Sequence, residues 1–84
     1  MKTKTFNIGE SAIGGRIKVE IKNRYVTIKC LDWDTREEVR VCHFSEDDKR
    51  GMEENLWDMT TSYYTDKVME YIREQTPVTK HEWA

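Results

Sequence analysis

Residues 16–31 read RIKVEIKNRYVTIKCL. Ile17, Val19 and Ile21 alternate with Arg16, Lys18, Glu20 and Lys22, the period of a strand with one buried and one wet face. Asn23–Arg24 interrupts the alternation for two residues, and Asn tolerates the positive φ that a tight hairpin turn demands. Tyr25–Leu31 then resumes it with Val26, Ile28 and Cys30 as the apolar set. A two-residue turn pairs positions whose numbers add to 47, so Ile21 meets Val26, Val19 meets Ile28 and Ile17 meets Cys30. Turn and pattern agree, and a β-hairpin stands at the centre of the fold.

Working outward, Lys4–Ile8 (KTFNI) alternates with Phe6 and Ile8 on one side and predicts a first strand, followed by the glycine-marked loop GESAIGG. Beyond the hairpin, Asp32–Glu37 forms a loop with Asp34–Thr35 at its tip, and Glu38–Phe44 predicts a fourth strand. Keeping Val39 and Val41 inward requires pairs adding to 69, with Val39 opposite Cys30 and Val41 opposite Ile28. Cys42 then faces outward, away from Cys30, and the two thiols cannot bridge.

The remainder is helical. Ser45 and Asp48 have capping-box spacing, and Glu46, Asp47 and Asp48 suit the positive end of a helix dipole. Met52, Leu56, Met59 and Tyr63 form one apolar stripe; Tyr64, Val68, Tyr71 and Ile72 form another, offset from the first. Thr60–Ser62 sits at the offset and predicts a kink or break, while Gly51 leaves open whether the helix passes through it or restarts. Pro77 stops the helical region. The expected architecture is one α+β domain over residues 1–76: a four-stranded antiparallel sheet with one face covered by a C-terminal helix, kinked or split in two. Residues 77–84 are expected to be a flexible tail.

With 84 residues there is room for one core, and 37% hydrophobic against 36% charged residues makes it a lean one. No run approaches the ~20 apolar residues of a membrane span. No apolar stretch follows Lys2 and Lys4, so a secretory signal is not expected and the location is expected to be cytoplasmic. Three Trp, four Tyr and two Phe argue against disorder.

The net charge of −2 conceals a division. Residues 1–30 carry seven basic side chains against two acidic, net +5, and residues 31–84 carry seven against fourteen, net −7. On the wet face of the sheet, the two expected registers set Lys18 opposite Lys29 and Lys29 opposite Arg40, a row of three cations. Rows Glu20–Thr27–Cys42 and Lys22–Tyr25–Phe44 lie beside it, so an aromatic pair, Tyr25 with Phe44, borders the basic strip. Like charges directly opposed cost a few tenths to about 1 kcal/mol per pair. Cations beside exposed rings fit an anionic partner, although lysines on a solvated strand are also an ordinary way to discourage edge pairing. In the acidic half, Asp47, Glu54 and Asp58 fall in one helical sector away from Met52 and Leu56, a line of carboxylates able to take the place of backbone phosphates in a basic groove.

Catalytic chemistry finds no support. Cys30, Cys42, His43 and His81 are the only soft metal ligands and lack CxxC or HxxxH spacing, so no metal is expected. No nucleophile has an adjacent base, no phosphate-cradling glycine motif occurs, and neither enzyme nor cofactor is expected. His43 reads as a hydrogen-bonded structural histidine, and the three tryptophans as core or rim residues.

Lys4–Ala12, KTFNIGESA, read as Lys-Thr-aromatic-x-Ile-Gly-x-x-Ala, resembles the start of small phage anti-CRISPR proteins that inhibit type II Cas9. The resemblance covers about a tenth of the chain and carries no site residues across. It implies a stoichiometric inhibitor that binds a bacterial defence nuclease or CRISPR–Cas complex and needs no catalytic groups of its own. On this reading Asp47, Glu54 and Asp58 meet a basic groove, and the strip of Lys18, Lys29, Arg40 and Tyr25 is a second contact. A rival reading is a single-stranded nucleic-acid module using the same basic strip, against which the net charge counts. A third is a homodimer pairing basic sheet with acidic helix.

Overall fold

The computed structural model describes residues 1–9 and 15–76. Strands β1 (Lys2–Asn7), β2 (Gly15–Lys22), β3 (Tyr25–Asp32) and β4 (Glu38–Ser45) form an antiparallel meander in the order β1-β2-β3-β4. Helices α1 (Lys49–Met59) and α2 (Ser62–Gln75) cover one face. The domain is α+β, as the apolar pattern requires. The tail expected at 77–84 and most of the GESAIGG loop lie outside the described residues.

The central hairpin holds the expected register: Ile17, Val19 and Ile21 face Cys30, Ile28 and Val26, and every one of the six is buried. Asn23 and Arg24 both take positive φ, 50° and 70°, the turn whose twist matches its strands. Pairing of β1 with β2 extends the same face to Phe6.

β4 departs from expectation. Val26 pairs with Phe44, Ile28 with Cys42 and Cys30 with Arg40, one residue out from the register that would bury Val39 and Val41. The register shifts between Cys30 and Leu31, where Leu31 meets Glu38, so Val39 is the extra residue of a β-bulge. Val39 and Val41 are accordingly 52% and 38% exposed, while Phe44 packs on the core. Both registers offer an alternating apolar set; the one that seats an aromatic ring removes more surface from water. It also brings Cys42 to the helix side with Cys30, contrary to the expected opposition of the thiols, although both remain free.

α1 lies over the β3–β4 side, where Asn55 Nδ2 donates to Cys42 Sγ at 3.2 Å and Cys30 Sγ to Met59 Sδ at 3.0 Å. α2 lies toward β1, with Tyr71 edge-on to Phe6 at 6.0 Å between centroids. Met52, Leu56 and Met59 from α1 and Val68, Met69 and Ile72 from α2 close the core. Asp48, not Ser45, is the α1 N-cap: its Oδ1 accepts from Gly51 N–H at 3.0 Å. The helix runs unbroken through Gly51 and ends where Thr60 and Thr61 both turn extended. That break re-aims the apolar stripe, and Arg73 of α2 ties back to Glu53 of α1 at 2.9 Å. None of the described helices is long and apolar enough to cross a membrane.

Candidate functional site

The sheet's open face keeps two of the three cations of its expected row. Lys18 and Lys29 are directly paired across β2 and β3, but Lys29 faces Val41 on β4. Arg40, displaced by the slipped register, sits opposite Cys30 on the helix side. The flanking rows change accordingly, to Glu20–Thr27–His43 and Lys22–Tyr25–Ser45. His43 Nδ1 lies 3.0 Å from Thr27 Oγ1, the structural hydrogen bond expected of it.

Carboxylates neutralise the remaining pair. Glu20 stands one row along and contacts Lys29 at 3.0 Å and Lys18 at 3.5 Å, while Glu38 takes the other side of Lys29 at 2.9 Å. The hydrogen bond from Lys29 lowers the Glu20 pKa despite partial desolvation, and the bond to Glu38, with Glu20 second, raises that of Lys29. The repulsion expected between opposed lysines is thus offset by a four-membered network closed over the sheet. Tyr25 projects beside it, 64% exposed. At the opposite end of the same face Arg16 stacks on Trp33 at 4.4 Å and donates to Asn7 Oδ1 and the Trp33 carbonyl.

The acidic surface is also reshaped. Since α1 begins at Lys49, Asp47 lies in the preceding turn and does not share a helical line with Glu54 and Asp58. All three are exposed, and Glu54 bonds to Arg50 at 3.3 Å. Trp57, nearly one turn on from Glu54 and next to Asp58 in sequence, is 56% exposed on the solvent side of α1. Reading the tryptophans as core or rim understated it. Its place three residues after Glu54, one after Leu56 and five after Met52 was the available signal, because that phase points away from the apolar stripe.

Sequence reading missed a third feature. Lys4 and Lys2 share the helix side of β1 with Phe6, so toward the start of the strand no apolar residue extends the core beyond Phe6. The result is a cleft of about 420 Å³ between β1 and α2. Lys4 Nζ lies 5.1 Å from the Phe6 ring and 5.3 Å from Tyr71, and Lys67 Nζ lies 5.5 Å from Tyr63. Glu70 and Glu74 share the walls, so its charges balance.

Burial raises the Cys30 pKa, which suits an inert core thiol. Among the described residues no three His, Cys, Asp or Glu side chains are grouped to hold a metal ion. Compared with protein-family models, curated proteins and solved structures, the chain matches none of them.

Proposed function

We propose that this chain is a non-enzymatic interaction protein of the bacterial cytoplasm, whose helical face grips a basic surface on a defence nuclease, CRISPR–Cas effectors foremost. Trp57 carries the reading. A large ring left 56% exposed beside two carboxylates gains little from its own fold. In an interface such a ring is the typical anchor, and a polar rim around it excludes water. Glu54 and Asp58 at that rim select a lysine- or arginine-rich partner, with Asp47, exposed in the turn before α1, as a separate acidic contact. The nucleic-acid grooves of nucleases are basic surfaces of this kind. The class of target rests on the resemblance of Lys4–Ala12; the chemistry of the contact rests on α1.

The sheet becomes the lesser surface. Lys18, Lys29 and Tyr25 remain together there, but Glu20 and Glu38 cancel the two charges and Arg40 has left the face. A nucleic-acid strand would have to compete with those carboxylates, which weakens the single-stranded nucleic-acid alternative.

A panel of guide-loaded type II CRISPR nucleases, each cutting plasmid DNA with increasing amounts of this chain, tests the proposal. Cleavage by at least one member should fall to zero near one chain per complex. Undiminished cleavage and no co-elution across the panel would withdraw the target class.

A further inference from the structure

The two edges of the sheet are not defended alike. β1 presents Lys2 and Lys4, the residue type that discourages strand addition. β4, Glu38–Ser45, contains neither lysine nor proline and leaves Val39 and Val41 exposed.

Backbone alternation shows which of its groups are free. The two-residue turn at Asn23–Arg24 makes Lys22–Tyr25 a hydrogen-bonded pair, so odd residues of β3 bond to β2 and even residues bond to β4. Glu46 N–H donating to the Arg24 carbonyl at 2.9 Å continues that rule. On β4, therefore, Arg40, Cys42 and Phe44 are spent on β3, and Val41 and His43 aim their N–H and C=O groups off the sheet. The Ser45 carbonyl is already taken by Asp48 N–H at 3.0 Å, and Val39 is the bulged residue. Alternation thus leaves Val41 and His43 open, with the bulged Val39 bounding the stretch at one end.

We propose that this edge is a self-association surface on which a second copy of the chain pairs antiparallel about Val41, joining two four-stranded sheets into one of eight. The strand is complementary to itself about that centre. Val41 meets its own mate as a hydrogen-bonded pair, Val39 meets His43, and Arg40 meets Cys42. No like charges are opposed, and the exposed Val41 covers its mate. Centring one residue earlier would set Arg40 against Arg40. The bulge lies at the end of the open stretch and leaves its middle flat. A second copy supplies the same free backbone groups in the same order, which an arbitrary partner strand need not. The pairing differs from a docking of basic sheet on acidic helix and is independent of the Trp57 surface.

Sedimentation equilibrium over micromolar to millimolar concentrations tests it, with Val41→Lys and Thr5→Lys as a pair of variants. The wild type should approach twice its 10.1 kDa mass as concentration rises. V41K sets two ammoniums on the axis and should raise the dissociation constant at least 10-fold. It should keep a wild-type circular dichroism spectrum, because Val41 faces solvent in the monomer. T5K on the opposite edge should change nothing. A monomer at every concentration overturns the proposal, as does a dimer that survives V41K, whether or not Trp57→Ala dissolves it.

Discussion

Asp48 and Gly51 work as a pair. A Cβ built on Gly51 would overlap the Asp48 carboxylate that caps α1, so the glycine is the room the cap needs. Gly51→Ala gains about 1 kcal/mol of helix propensity and displaces a cap worth about 1 kcal/mol, so its net effect on stability should be near zero. Asp48→Ala should cost about 1 kcal/mol in the wild type and less than half of that in the Gly51→Ala background. Urea unfolding of the four proteins measures this, and fully additive changes would detach the glycine from the cap. Thr65 is a second such residue: fully buried within α2, with its Oγ1 lacking a partner. Thr65→Val keeps the shape, removes the stranded hydroxyl, and should stabilise by about 1 kcal/mol in the same assay. A loss of stability there would mean that the hydroxyl is bonded after all.

Strand β4 holds the element on which the candidate site turned. In the central hairpin the turn type and the apolar alternation independently demand one register, and Arg16–Leu31 could be read to the residue. In EVRVCHFS two apolar sets, Val39 with Val41 and Cys42 with Phe44, compete one step apart. Alternation cannot rank them, because the choice depends on a bulge and on what lies above the strand. That one step moved Arg40 off the cation row and Cys42 onto the inner face. Side-chain truncation tests the outcome: Phe44→Ala should cost about 2 kcal/mol and Val41→Ala under about 1 kcal/mol, and the reverse order would restore the other register.

The salt-bridge network spanning β2, β3 and β4 has its own signature. Glu20 titrates below its unfolded value, so its contribution is complete above the unfolded carboxylate pKa and is lost as pH falls through the lower folded one. Lys29 titrates above its unfolded value, so its contribution holds below that value and is lost as pH rises through the higher folded one. Stability from this network should thus be level between about pH 5 and 10 and fall away on both sides. Glu20→Gln should flatten the acid limb by about 1 kcal/mol or less, read from denaturation midpoints at pH 3 and pH 7.

Taken as a whole, the molecule divides its charge along the sequence, +5 before residue 31 and −7 after it, yet folding redistributes both. Glu20 and Glu38 close over Lys18 and Lys29 on the sheet, and Glu53 and Glu54 engage Arg73 and Arg50 on the helices. What survives as a distinctive surface is Trp57 with Asp58 and with Glu54, which stays exposed although Arg50 bridges to it. Composition could announce an acidic half, but only the helix start at Lys49 and the phase of α1 decide which carboxylates stand beside an exposed ring.

The most direct test of that surface is calorimetric titration of a nuclease complex the chain inhibits, using the wild type, Trp57→Ala and the double variant Glu54→Lys with Asp58→Lys. Each change should weaken binding at least 10-fold, a loss of about 1.4 kcal/mol or more, without altering the fold, and wild-type affinity should fall as salt is raised. Unchanged affinity in both variants, at every salt concentration, would contradict the account.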